Sequence, residues 1–385
     1  MRPLRIVVLG YIVRGPLGGL VWHHLQYVIG LKQLGHDVMF VEDSEDHPAC
    51  YDPSRHVVDD DPTYGLAFLQ QTFELVGLDV PWAYYDAHRA RWLGPSADDA
   101  VAWCRTADVA INLSGVNPAR PWLDTIPVRA FVDTDPVFTQ IRSLTDSDYR
   151  ALIDWHTVHF TFGERISGGR SEVPDDGIAW QPTRQPVVLD CWKPNVGPPG
   201  GAYTTVMQWQ SYQAREFDGR RFGMKSESFD AIESLPVHTA VPLAVALGGE
   251  AAPAERLRDL GWEVLDPLSV TRTAESYRQY LRDSRAEFSV AKHGYVAGVS
   301  GWFSERSAVY LASGRPVVTQ DTGFSGILEC GHGLFAYDSI ETAIYSIEQI
   351  ESDYAVHCAA ARRVAEASFD AAMVLRDLVS RLGER

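Results

Sequence analysis

The chain opens on an apolar run that does not alternate. Arg5-Ile6-Val7-Val8-Leu9-Gly10-Tyr11 is followed by a glycine-bearing loop to Gly19 and a helix-period segment from His23 to Leu34. Gly35-His36-Asp37 then leads into a second apolar run, Val38 to Val41. A strand with one wet face alternates apolar and polar residues, whereas one that is apolar throughout is covered on both faces, as strands of a parallel sheet between helical layers are. The unit therefore reads as βαβ. It recurs at Asp108–Gly115, Val128–Asp133 and His159–Gly163, and again at Tyr203–Met207, His238–Ala246, Ala286–Ala291 and Pro316–Gln320. Helical segments such as Ala254–Gly261 and Thr273–Ser284 lie between the later runs. Between the two series, Trp192 to Gly201 packs Pro and Gly too densely for regular structure and reads as a linker. The expected fold class is α/β, with one doubly wound domain on each side of residue 195. A long amphipathic helical stretch, Asp353 to Leu382, closes the chain and is placed to cross back onto the first domain.

Length agrees with this division, since 385 residues exceed what one ordinary core organises. Net charge bounds the partners. At −17 the chain lacks the basic surface that nucleic acid or an anionic membrane requires, so any anionic ligand must be met locally. Lysine is scarce, at Lys32, Lys193, Lys225 and Lys292 only. The five cysteines are far apart with no CxxC pair, which suggests neither a disulfide framework nor a zinc site. No apolar run reaches the roughly 18 residues of a membrane span, and the first strand follows Met1 almost directly, so a cytoplasmic location without membrane insertion is expected.

Chemistry concentrates at SGWFSERSAVYLASGRPVVTQDTG, residues 300–323. Its helix starts at Ser304-Glu305-Arg306-Ser307 and stops at Ser313-Gly314. Free N–H groups and the dipole at such a start bind anions, Ser304 and Ser307 add hydroxyls, and Arg306 adds charge. The plainer reading has Ser304 capping its own helix and Arg306 in solvent. Glu305 suits a pair of hydroxyls. Asp321-Thr322-Gly323 ends a buried strand, where open α/β sheets bind ligands, although the same residues can cap Gly323-Phe324-Ser325. Tyr277 and Tyr280 suit base stacking or, at their i, i+3 spacing, a packed helix face. In the first domain the loop from Gly10 to Gly19 lacks GxGxxG, so a dinucleotide cofactor is not indicated.

Two such domains, a Gly/Pro linker and a bridging C-terminal helix resemble the GT-B class of nucleotide-sugar glycosyltransferases. The resemblance rests on His293-Gly294, Gly301-Trp302-Phe303-Ser304, Ser313-Gly314-Arg315-Pro316-Val317-Val318 and Asp321-Thr322-Gly323. It implies two Rossmann-like domains. The acceptor-binding one covers 1–195 plus a C-terminal helix at about 366–385, and the donor-binding one covers 196–365. It further implies donor contacts from Lys225, His293, Ser304, Glu305, Arg306, Ser307, Asp321, Thr322 and Gly323. Gly18 and Gly19 would face the cleft, and His23 or His24 would act as general base, held by Asp133 or Asp135. Asp133-Thr134-Asp135 is a DxD string, but no metal is expected in this setting, and no cofactor beyond the nucleotide-diphosphate sugar as co-substrate. The expected partners are that donor and a small-molecule acceptor such as a natural product, with no nucleic acid, and the chain as monomer or homodimer. A sugar-nucleotide epimerase of the same fold and a non-catalytic two-lobed binder are the alternatives.

Overall fold

The computed structural model describes residues 2–195 and 197–382. Two sheets organise it. The first has eight strands: β1 (Arg5–Leu9), β2 (Asp37–Asp43), β3 (Trp82–Asp86), β4 (Arg91–Leu93), β5 (Val109–Leu113), β6 (Val128–Asp133), β7 (Val158–Thr161) and β8 (Gln181–Pro182), in the order β8-β7-β6-β5-β1-β2-β3-β4. All its pairings are parallel except β3 with β4. The second sheet has six parallel strands: β9 (Tyr203–Gln208), β10 (Leu243–Gly248), β11 (Glu263–Leu265), β12 (Ala286–Ser289), β13 (Val317–Gln320) and β14 (Leu334–Tyr337), in the order β11-β10-β9-β12-β13-β14. Interior strands β5 and β10 are buried along their whole length, which is why their sequences carry no alternation.

Eight helices frame the space between the sheets or join the two lobes: α1 (Gly18–Gln33), α2 (Phe138–Thr145), α3 (Lys225–Phe229), α4 (Ala274–Asp283), α5 (His293–Ala297), α6 (Glu305–Ala312), α7 (Tyr354–Ser368) and α8 (Ala371–Arg381). The lobes meet where α1 packs on α4. Trp22 of α1 donates its indole N–H to the Ala274 carbonyl at 2.8 Å. A Cβ on Gly18 would lie 2.4 Å from the Thr273 oxygen and 2.5 Å from the Tyr277 Cβ, so only glycine permits this approach.

The C-terminal stretch is two helices instead of one. It breaks at Phe369-Asp370, where the Asp370 carboxylate caps α8 through the Ala372 N–H at 2.8 Å. Phe369 stacks on Phe303 at 5.2 Å and its carbonyl accepts from the Val187 N–H at 2.7 Å. The break lets α7 lie on α6 in the second lobe while α8 lies on α1 in the first, with Leu375 over Gly30. The end of the expected helix at 383–385 and linker residue 196 lie outside the described residues. Sequence patterning misses β3, β4, β8, β11 and β14. It also begins β10 too early, because Leu235–His238 is a 3₁₀ turn and Pro242, which has no N–H to pair, delays the strand to Leu243. Among the described residues no helix is long and apolar enough to cross a membrane.

Candidate functional site

A cleft of about 460 Å³ opens between the lobes at the C-terminal ends of both sheets. The first lobe contributes Gly19 and His23 from α1, Ser114 from the end of β5, and Thr134 and Asp135 from the end of β6. The second contributes Lys225, Tyr277 and Lys292, with Ser304, Glu305 and Arg306 from the start of α6.

α6 forms where the sequence predicts it. Ser304 has extended φ and ψ, and its hydroxyl accepts the Arg306 N–H at 3.2 Å, while Glu305 in the first turn complements the helix dipole. Gly314, at φ 69, takes the left-handed conformation that ends the helix and lets β13 begin. Ser304 is therefore both a cap and part of the cleft wall.

Three cations converge here. Arg306 is buried rather than solvated: its Nε donates to Glu287 Oε1 at 2.6 Å and its Nη1 to the Val206 carbonyl at 2.7 Å, leaving the rest of the guanidinium edge for the cleft. Lys225, at the start of α3, has no hydrogen-bond partner among the described residues. Burial, reinforced by the neighbouring Arg306 charge, pushes its ammonium down to about 7. Lys292 reaches across to Asp135 of the first lobe at 2.8 Å. In a chain of net charge −17 these three cations share one cleft, Arg306 paired with Glu287 and Lys292 with Asp135, while Lys225 has no ion-pair partner among the described residues.

His23 lines the cleft with its ring among Tyr27, Phe162 and His24. Its Nε2 is buried without a partner, and desolvation pushes it down to about 4, so the imidazole is neutral at pH 7. Among the described residues no carboxylate pairs with it. Asp133 spends its carboxylate on Thr139 Oγ1 and Thr161 Oγ1, both at 2.7 Å, on Gln140 Nε2 at 3.1 Å and on the Asp135 N–H at 2.9 Å. Burial raises it to about 6 even so, and it serves as the internal brace of its own loop.

Several other expected site residues lie elsewhere. Both ring nitrogens of His24 are occupied by backbone, Nδ1 by the Leu20 carbonyl at 2.8 Å and Nε2 by the Tyr11 N–H at 3.1 Å, so it holds the loop after β1 in place. His293 begins α5 outside the cleft lining, with Nδ1 accepting the Gly223 N–H at 3.1 Å, and it is the adjacent Lys292 that enters the cleft. Ser307 is fully buried, its hydroxyl without a hydrogen-bond partner among the described residues, and it does not line the cleft. Asp321 accepts from the Gly323 N–H at 2.8 Å and from Ser325, Thr322 donates to the Trp302 carbonyl at 2.5 Å, and Gly323 at φ 92 starts a short 3₁₀ turn against Arg165. That segment is a cap. Gly18 belongs to the interlobe contact, while its neighbour Gly19 lines the cleft. Tyr277 does both, packing on the two glycines and presenting part of its ring to the cleft.

Lys292, Ser114 and Thr134 are among the cleft residues that sequence reasoning did not assign, as are Gln208, Ser211, Thr271 and Tyr295. The scarcity of lysine was the available signal for Lys292, and position just past a strand's C-terminal end for Ser114 and Thr134.

No protein-family model matches the chain, and no curated protein matches it. Solved structures do. A glycosyltransferase involved in avilamycin A biosynthesis, AviGT4, superposes with a TM-score of 0.56 at 14% identity, covering 99% of this chain and 97% of its own. An alpha-glucosyltransferase in complex with UDP-glucose and DNA containing an abasic site gives 0.59 at 12% identity, with full coverage of both chains. HepE from Anabaena in complex with UDP-glucose gives 0.56 at 13% identity, covering 98% of this chain and 99% of its own. The fold is GT-B: two Rossmann-like halves with a C-terminal helix returning to the first.

Proposed function

We propose that the chain transfers a sugar from a nucleotide-diphosphate sugar to a small-molecule acceptor. The donor is held by the second lobe and the acceptor lies against the first. The observation that carries this reading is the convergence of Lys225, Lys292 and Arg306 beside the start of α6 in one interlobe cleft of an otherwise acidic protein. Glycosyl transfer expels a diphosphate, whose growing charge must be stabilised in the transition state. Two ammonium groups, one guanidinium edge and the N-terminal turn of α6 provide that without a metal ion. Glu305, acceptor-only when ionised, takes hydroxyls of ribose or sugar. His23 is neutral and within the cleft, so it can accept the acceptor's proton, but it does so without a carboxylate to orient it.

The UDP-glucose in two of the solved neighbours supports a hexosyl donor, and the biosynthetic role of AviGT4 supports a natural-product acceptor. The experiment is calorimetry with UDP, GDP and dTDP in turn, followed by the sugar nucleotides of whichever base binds. Failure of all three to bind at about 1 mM ends the proposal. Inversion of the donor sugar without any acceptor would assign the cleft to an epimerase instead.

A further inference from the structure

Asp135 is built into the cleft in a way that glycosyl transfer alone does not explain. It follows the end of β6 in the first lobe, and the three groups that meet its carboxylate all come from the second lobe. Lys292 Nζ donates to Oδ1 at 2.8 Å, Tyr295 donates to the same oxygen, and Tyr212 donates to Oδ2. The ammonium of Lys292 also donates to the Tyr212 hydroxyl at 2.9 Å. It sits 4.4 Å, 5.1 Å and 5.3 Å from the ring centroids of Tyr212, Phe138 and Tyr295, at distances where the ring faces attract a cation.

This cage has two owners. Phe138 and Asp135 belong to the first lobe, Tyr212 and Tyr295 to the second, and Tyr212 meets Phe138 edge-on at 5.2 Å across the gap. Between Asp135 and Phe138 the backbone is strained: Val137, buried and β-branched, has φ 76 in the left-handed region that such residues avoid. Strain of this kind persists only where surrounding structure imposes it, and here it aims both residues at the other lobe. A second bridge runs alongside, from Trp302 Nε1 to the Thr134 carbonyl at 3.2 Å. A lysine side chain free in solvent samples many rotamers; the Tyr212 hydroxyl and two of the three rings come from the lysine's own lobe, and the Asp135 carboxylate and the Phe138 ring restrict it further only while the lobes are together.

We infer that Asp135 is a positioning residue: from the first lobe it orients Lys292, a cation of the second-lobe anion site, so that the site is complete only in the closed molecule. This rests on the reading of the cleft as a nucleotide-diphosphate sugar site. Lys225 and Arg306 lie wholly within the second lobe and bind the diphosphate whether the lobes are open or closed. Lys292 adds its charge on closure.

The test compares wild type with Asp135→Asn and Tyr212→Phe. The first keeps the shape of the side chain and removes its charge; the second removes one partly exposed hydroxyl and serves if the first fails to fold. Three measurements apply: the radius of gyration by small-angle scattering without nucleotide, the affinity for UDP, GDP and dTDP by calorimetry, and steady-state turnover with the matching sugar nucleotide. Both variants are expected to show a larger radius of gyration, nucleotide affinity within about threefold of wild type, and kcat lowered about tenfold or more with donor KM little changed. An unchanged radius with unchanged kcat overturns the inference. So does a loss of nucleotide affinity that matches the loss of kcat, which would make Asp135 part of the binding surface itself. If wild type binds none of the three nucleotides, the proposed donor is wrong, while the scattering comparison still decides whether Asp135 holds the lobes together.

Discussion

At the scale of single residues, the cations of the cleft differ in how they are held. Arg306 is bound to Glu287, whose other carboxylate oxygen is buried without a partner. Arg306→Ala would strand that carboxylate in the core, and breaking a buried pair from one side costs about 3–5 kcal/mol. The expected outcome is a large fall in thermal midpoint by calorimetry, so lost nucleotide binding in this variant would say little about contact with phosphate. Lys225 is the cleaner probe, because no described protein group pairs with it. Lys225→Met is expected to weaken nucleoside-diphosphate binding by about tenfold at pH 6, the size of one charge-assisted hydrogen bond. Burial lowers this lysine from an ordinary value of 10.5 to about 7, so the free protein loses the charge as pH rises through 7 and the diphosphate must restore it. Between pH 7 and 10 wild type should therefore take up a proton on binding, and its advantage over Lys225→Met should shrink with rising pH. Calorimetry in buffers of different ionisation enthalpy measures the uptake, and comparison with the variant removes the nucleotide's own titration. Folding has the opposite sign. Below pH 7 the native state carries a desolvated charge that the unfolded chain hydrates freely, so this cost to stability is largest there and is relieved as pH climbs toward 10.5.

At the scale of elements, α1 and α6 show what patterning can and cannot reveal. α6 was legible end to end because its signals are local: a serine cap, an acidic first turn, a Ser-Gly stop and a β-branched strand after it. The start of α1 was not. Periodicity puts it at His23, yet the helix begins at Gly18, where glycine admits α4 of the other lobe, a contact about 250 residues away that no window contains. Of the expected site residues, Gly19, His23, Lys225, Ser304, Glu305 and Arg306 do line the cleft, and what patterning hid was again long-range. Asp321-Thr322-Gly323 occupies a strand end of the right kind, but local hydrogen bonds consume it, whereas Lys292 and Asp135 become a site only when two lobes meet. Paired substitutions test the role of the two glycines. Gly18→Ala drives a methyl into backbone and is expected to cost about 1–3 kcal/mol, as overpacking does. Gly19→Ala, with its nearest atom 3.5 Å away on the Tyr277 ring, should be neutral or slightly stabilising because alanine favours the helix. Equal thermal midpoints for the two variants would contradict the close approach of α1 and α4.

For the whole molecule, net charge bears on the acceptors that the fold leaves open. The alpha-glucosyltransferase that superposes at full coverage is in complex with DNA, so the fold alone does not settle the acceptor class. A duplex binder must replace condensed counterions with its own cations, and 34 basic residues against 51 acidic ones leave few to spare. Lys225 and Arg306 are already committed to a cleft of about 460 Å³, a volume within the range of sites for one small ligand. Many of the remaining arginines are engaged in ion pairs with neighbouring carboxylates, as Arg120 is with Asp43 and Asp46 and Arg184 with Glu164. The expectation is that a labelled duplex of about 13 base pairs shows no change in fluorescence anisotropy at micromolar protein and about 0.05 M salt, where non-specific electrostatic binding is strong for proteins that have it. Low salt is the demanding condition, because screening cannot then hide an attractive patch. Binding there that weakens steeply as salt is raised would reveal a basic surface invisible in the net charge and would replace the small-molecule acceptor with a polyanion.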